Sequence, residues 1–250
     1  MTVTESIRLV VGAGALLGIA VIVLAVYRVD RGWAAVRAVG RAAVQLAFVA
    51  VVLRSAIHTG WGTAGVVGVM FTVAAVTAYR RIVTLQRALP AALVGCAAGS
   101  VASIGIIVGA AVLTRDLRTL IAVSGIIIGG CMTAVTLTGR HLRDGMVHRR
   151  DEIEGWLAIG ATPRDALRDV ARRAAAESLV PGHDQTRTVG LVSLPGAFVG
   201  ALLAGADTGA AARFQFVVLT GLVCAQAVAA VVTATVLTSP RHLELPPSPG

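Results

Sequence analysis

Long apolar stretches alternate with short arginine-bearing segments along the chain, and this alternation predicts its elements. Residues 7–26 carry no charge after Arg8. That is enough to cross a hydrocarbon layer of about 30 Å, which takes about 20 helical residues. Residues 42–57, 61–79, 91–113, 120–139, 189–206 and 214–237 repeat the pattern; the second of the seven spans is short, and the sixth is broken near its start by Leu194-Pro195-Gly196. Trp61 and Tyr79 mark the ends of the third span, as interfacial aromatic rings do, and Pro90 opens the fourth, where its missing N–H is harmless. Pairs of glycines one turn apart, Gly14 with Gly18, Gly95 with Gly99 and Gly105 with Gly109, offer small faces for close helix packing. The first stretch is too long for a signal peptide and has no clear cleavage site, so it reads as a span. The expectation is an all-α integral membrane protein of about seven transmembrane helices. Residues 1–239 form one membrane domain and 240–250 a disordered, proline-rich tail.

The exception to this pattern is residues 140–187, between spans five and six, with nine arginines and eight acids. Here Leu142, Met146, Ile153, Trp156 and Leu157 recur at helical spacing, while Arg149, Arg150, Asp151, Glu152 and Glu154 fall mostly elsewhere around the cylinder, which predicts an amphipathic helix. Gly160 fits its C-terminal cap. Thr162-Pro163-Arg164-Asp165 then starts a second helix, with Thr162 as N-cap, Pro163 at the first position and Asp165 at the capping-box position. The pairing of Arg150 with Glu154 suits a solvated face. This cytoplasmic helical hairpin either rests on the bilayer surface or docks a soluble partner.

Composition narrows the function. At 56% hydrophobic and 14% charged, 250 residues cannot be an ordinary soluble domain. The net charge of +9 comes from arginine alone, since the chain has no lysine. Membrane proteins collect arginine in cytoplasmic loops, so the charge does not imply nucleic acid. Arg28, Arg31, Arg37, Arg41, Arg80, Arg81, Arg87, the nine of the hairpin and Arg241 fall on one side. Arg8, Arg54, Arg115, Arg118 and Arg213 fall on the other, which sets the N-terminus outside and the C-terminus in the cytoplasm. Scarce lysine and asparagine beside abundant Ala, Gly, Val and Arg point to a GC-rich bacterial genome, hence a bacterial cytoplasmic membrane.

Candidate chemistry is sparse. Cys96, Cys131 and Cys224 lie in apolar segments without paired spacing, which indicates neither disulfide nor zinc. Cys131 and Met132 are adjacent and so diverge on a helix, and no metal site is assigned. A P-loop needs lysine, so any ATP use belongs to another polypeptide, and no catalytic constellation assembles: the chain is not an enzyme. Arg41 and Gln45 share a helical face, either on a polar pathway or as a snorkelling arginine beside an interhelical glutamine. Thr133, Thr136 and Thr138 can return hydroxyl bonds to their own backbone. His183 and Asp184 read as a polar loop at the membrane surface. The assigned spans contain no Asp or Glu, which counts against an ion-coupled secondary carrier; that carrier and a nontransporting scaffold remain the alternatives.

Arg150-Asp-Glu-Ile-Glu154, Leu157-Ala-Ile-Gly-Ala-Thr-Pro163, Val189-Gly-Leu-Val-Ser-Leu-Pro-Gly196, Leu203-Ala-Gly-Ala206 and Ala212-Arg-Phe-Gln215 occur in this order. In this combination the chain resembles the FetB-like permeases, membrane subunits of ABC transporters associated with iron export and plant aluminium tolerance. The resemblance implies a homodimeric permease exporting a metal ion such as iron, without a cofactor of its own, with ATP and Mg in a separate ATPase subunit. It places Glu152, Glu154, Gly160, Ala161, Thr162 and Pro163 at the ATPase contact. The chain departs from the family where asparagines are usual in the fifth span, having Gly130 and Thr133, and in Gly182-His-Asp-Gln-Thr-Arg187, where the family is apolar. Gly130 and Thr133 join Arg41 and Gln45 as pathway candidates. Pro195 and Gly196 are candidates for a hinge, since Pro195 removes a backbone donor.

Overall fold

Without water to bond them, backbone amides in a chain this apolar are satisfied along the helix axis. The computed structural model describes residues 3–29, 32–56, 60–110 and 116–239. Its elements are α1 (Val3–Val26), α2 (Gly32–Ala56), α3 (Gly60–Ile82), α4 (Ala88–Gly109), α5 (Leu117–His148), α6 (Arg150–Ala158), α7 (Pro163–Ala166), α8 (Arg168–Thr188), α9 (Gly196–Leu203) and α10 (Thr208–Leu237). The tail 240–250 with Arg241, and Asp30, Arg31 and Arg115, lie outside the described residues.

The chain divides into two units, residues 1–58 and 59–250. In the first, α1 pairs with α2. Because α2 starts at Gly32, ahead of the expected span, Arg37 and Arg41 ride on this helix and not in a loop. In the second, α3, α4, α5, α8 and α10 pack around a core of small residues in which Ala78, Ala91, Cys96, Cys131, Ala225 and Ala229 are fully buried. Of the glycine pairs, only Gly95 and Gly99 mediate a close approach. A Cβ at Gly99 would collide with the Ala225 carbonyl oxygen and stand 2.8 Å from Cys131 Sγ, whereas Gly14, Gly18, Gly105 and Gly109 face open space.

Six helices among the described residues are long and apolar enough to cross a membrane: α1, α2, α3, α4, α5 and α10. The stretch expected as the sixth span contributes only the eight residues of α9, about 12 Å of helix. Two further pieces, α8 and α9, lie in succession along α5, and neither is among these six. Helix α8 runs antiparallel to α5, since Val170 packs on Gly145 while Ser178 meets Thr138. The chain then opens over residues 189–195, and α9 continues beside Thr119, Ala122 and Ile126 of α5 and Ala210 and Phe214 of α10. Six candidate spans among the described residues are roughly consistent with the expected count of about seven.

The start of the hairpin differs from the expectation. Helix α5 continues unbroken from Leu117 to His148, so Leu142 and Met146 belong to its buried face, while Ile153, Trp156 and Leu157 belong to α6. The apolar stripe simply runs on past Gly139, where Ile82 packs against the bare backbone, so periodicity alone gives no boundary there.

Capping fixes where the helices enter. The Asp116 carboxylate accepts from Thr119 Oγ1 at 2.6 Å, Thr119 N at 2.9 Å and Arg118 N at 2.7 Å, and Asp207 caps α10 by accepting from the amides of Gly209 and Ala210. The Thr119 hydroxyl bond, then its backbone bond, hold the Asp116 carboxyl below the ordinary carboxylate range. The Ala210 and Gly209 amides do the same for Asp207. A carboxylate lowered in the folded state stabilises above its ordinary range, and that contribution disappears as pH falls through the folded value. Asp116→Ala is therefore expected to cost ~1 kcal/mol at neutral pH and nothing once both states are protonated. The cost should shrink as pH falls from 7 toward and below the ordinary carboxylate range, which unfolding midpoints in detergent across that range check.

Candidate functional site

Two ion pairs stiffen α6 at its exposed face. Arg149 donates to both carboxylate oxygens of Glu152, from Nε at 2.7 Å and Nη2 at 2.6 Å, and Arg150 Nε donates to Glu154 Oε1 at 2.7 Å. Both carboxylates named from sequence are thus held by arginines of the same segment. Buried Ile153 anchors α6 to the rest of the unit.

The helix ends as its sequence demands. Gly160 stands at φ +90, its amide donates to Leu157 O, and Ala161 N donates to Trp156 O. That is the Schellman closure, which favours glycine because the left-handed region penalises a Cβ. Thr162 then caps α7: its Oγ1 accepts from Asp165 N at 3.2 Å, and its hydroxyl lies 2.5 Å from Asp165 Oδ2. Pro163 occupies the first helical position. Four residues, Gly160 to Pro163, therefore reverse the chain with nearly every local donor satisfied.

Two apolar side chains stand out at this turn, Trp156 at 49% and Ile159 at 76% exposure. Beside them a cleft of about 470 Å³ is lined by Arg149, Glu152, Trp156, Ala161, Asp165 and Arg168, among others, and Arg149 Nη1 is buried there without a partner among the described residues. An apolar knob next to a polar notch is a surface that can grip another protein.

The α8–α9 pair is the second part of the site. Helix α8 turns a stripe of small residues, Val170, Ala174, Ser178 and Gly182, into the unit, and the stripe admits close neighbours. The Thr138 hydroxyl donates to Ser178 Oγ at 2.9 Å, across helices, whereas Thr133 and Thr136 bond their own helix at Gly129 O and Met132 O. Gln226 of α10 fills the space that a Cβ at Gly182 would take, and its Nε2 would lie 3.5 Å from a Cβ at Gly130. At Gly130 it is Leu222 Cδ1 that takes the place of a Cβ, while the Gln226 amide, about 16 Å along α10 from Leu237, stands at ordinary contact distance. Gly182 stood out only as the start of a polar departure from the family, and nothing singled out Gln226, Ser178 or Pro181, which sits inside α8. The usable signals were a glutamine in the middle of an apolar span and a small residue at every fourth position.

His183 and Asp184 are helical residues of α8 and not a surface loop. The opposite face of α8 exposes Arg173, Glu177, Asp184 and Arg187, and of these only Asp184 and Arg187 form an ion pair, at 3.5 Å. The chain then leaves the helix, with Gly190 at φ +83 and its amide donating to Ser193 O, while Leu191, Val192 and Leu194 are exposed. Pro195 is the N-cap of α9 and Gly196 its first residue. Pro195 therefore removes no donor from a helix interior, and the break is a loop, not a proline kink. Arg41 and Gln45 are both exposed on α2, in the first unit. Among the described residues no three His, Cys, Asp or Glu side chains are grouped to hold a metal ion.

The chain was compared with known proteins. The family model described as "Uncharacterised protein family (UPF0014)" matches residues 7–241. The chain is 35% identical to "UPF0014 membrane protein STAR2" of rice (Oryza sativa subsp. japonica) over 66% of its own length and 58% of the relative's. It is 32% identical to "UPF0014 membrane protein slr1647" of Synechocystis over 82% and 80% of the two chains. To "Probable iron export permease protein FetB" of Escherichia coli K12 it is 29% identical over 72% and 70%. The chain thus spans about three fifths of the rice protein's length. No solved structure matches it.

Proposed function

Because the chain belongs to the UPF0014 membrane protein family, we propose that it is the membrane-spanning permease subunit of an ABC transporter, powered by a separate ATPase that supplies ATP and Mg. The observation that carries this reading is the latched, capped turn from Glu152 to Pro163 beside exposed Trp156 and Ile159. A rigid turn transmits a partner's displacement, where a flexible loop would absorb it. The relative bearing the name of a probable iron export permease makes a metal ion such as iron the proposed cargo, with export as the direction.

Read as a broken crossing, α8 and α9 support a homodimer. Irregular backbone is tolerated at membrane depth only where protein or water covers it, and residues 190–194 are exposed in a single copy. Charged Glu177, Asp184 and Arg187 on the adjoining face of α8 are equally costly against lipid. A second copy meeting this face would shelter both and enclose a polar route. The proposed setting is the bacterial cytoplasmic membrane, with the N-terminus outside and the turn at the cytoplasmic face.

The acid on α8 gives the ion-coupled carrier one point in its favour, since Asp184 lies on a helix packed along α5 and not in a loop. One experiment separates the two readings: co-purification of the chain with an ATPase encoded beside it, followed by metal flux in proteoliposomes. The permease reading expects a complex of two copies of the chain with two ATPases and flux that needs ATP. Flux by the chain alone, driven by a proton gradient, would replace it with the carrier.

A further inference from the structure

Where α7 and α8 meet the end of α10, a second cleft of about 510 Å³ opens, sharing Asp165, Arg168 and Arg172 with the cleft beside Trp156. Arg164, Arg168 and Arg172 line it, one helical turn apart, together with Asp165, whose carboxylate is already engaged by the Thr162 hydroxyl. None of the three arginines forms an ion pair among the described residues, where the pairs are Arg149–Glu152, Arg150–Glu154 and Arg187–Asp184. Three positive charges on one ridge of a largely neutral segment are left for an anion to neutralise.

The opposite wall identifies the anion. It consists of Ala171 and Ala175 of α8 with Val231, Ala234 and Thr235 of α10, and Val231 is 57% exposed although it lies in a spanning helix. Val231 stands six residues before Leu237, about 9 Å along the axis, so the cleft reaches from the helix end into the depth of the bilayer. Its mouth is cationic and its floor apolar, in the order of a phospholipid's phosphate and acyl chain. An ATPase in the water phase could reach the mouth but not the floor.

We propose that this cleft binds an anionic membrane phospholipid, with the phosphate headgroup on Arg164, Arg168 and Arg172 and an acyl chain along Val231 and Ala234. Basic pockets between helices at the cytoplasmic side suit such headgroups. The site ties the base of the coupling turn to the last spanning helix through the lipid.

The test uses the full chain, delipidated in detergent and titrated with phosphatidylglycerol or phosphatidylcholine, with bound lipid counted by native mass spectrometry. Wild type is expected to retain phosphatidylglycerol in preference to phosphatidylcholine. The Arg168→Gln, Arg172→Gln pair should bind it about 30-fold more weakly, at roughly tenfold or less per arginine. The Arg168→Lys, Arg172→Lys pair should keep most of the binding, which separates loss of charge from loss of fold. Equal retention of the two lipids, unchanged binding by the glutamine pair, or equal protection by inorganic phosphate would each overturn the proposal. Unchanged lipid binding alongside lost ATPase capture in the glutamine pair would assign the arginines to the partner protein instead.

Discussion

Gly99→Ala is expected to lower the unfolding midpoint of the detergent-solubilised chain by about 5 °C, the equivalent of ~2 kcal/mol for a chain of this size. In isolation the change should help, because alanine favours a helix over glycine by about 1 kcal/mol. Here the new methyl meets the Ala225 carbonyl oxygen of α10 and stands 2.8 Å from Cys131 Sγ. A backbone oxygen cannot rotate away as a side-chain end does, so α4 and α10 must separate. Gly105→Ala is the control: it lies on the same helix and faces open space, so its midpoint should hold or rise. If the two variants behave alike, the close approach of α4 to α10 is refuted.

Gly160→Val combined with Thr162→Ala is expected to reduce capture of the ATPase by more than about tenfold while leaving the bundle's unfolding midpoint unchanged. Valine at φ +90 costs on the order of 1–3 kcal/mol, and loss of the Thr162 cap costs about 1 kcal/mol more. Together they exceed what a nine-residue helix anchored by one buried side chain, Ile153, can absorb in place. The turn should open, and Trp156 and Ile159 should lose their fixed presentation. Gly160→Asn, which tolerates the left-handed region, should retain capture. So should Gly155→Ala, where a Cβ meets nothing within 4 Å. Full capture by the double variant would mean that the turn is not the contact.

Sequence alone determined the membrane class, most of the spanning helices and the capped turn, because each depends on local physics. Span length follows from residue count and hydropathy, and Gly160, Thr162, Pro163 and Asp165 encode their turn within a few bonds. The Arg150–Glu154 pair was likewise legible from spacing. Tertiary structure decided what depends on a neighbour. The amphipathic pattern from Leu142 onward could not say that α5 runs on to His148, since a helix stripe carries no mark where its partner changes. The charges of Gly182-His-Asp-Gln-Thr-Arg187 read as a surface loop because hydropathy averages over all faces of a helix. The fold instead buries the small stripe Ala174, Ser178 and Gly182 against α5 and α10 and leaves the charges on the other side. Of three similar glycine pairs only Gly95 with Gly99 meets another helix. A missing side chain is informative only when something occupies the space it leaves, and which helix does so is fixed by packing across the bundle, not by the residues next along the chain.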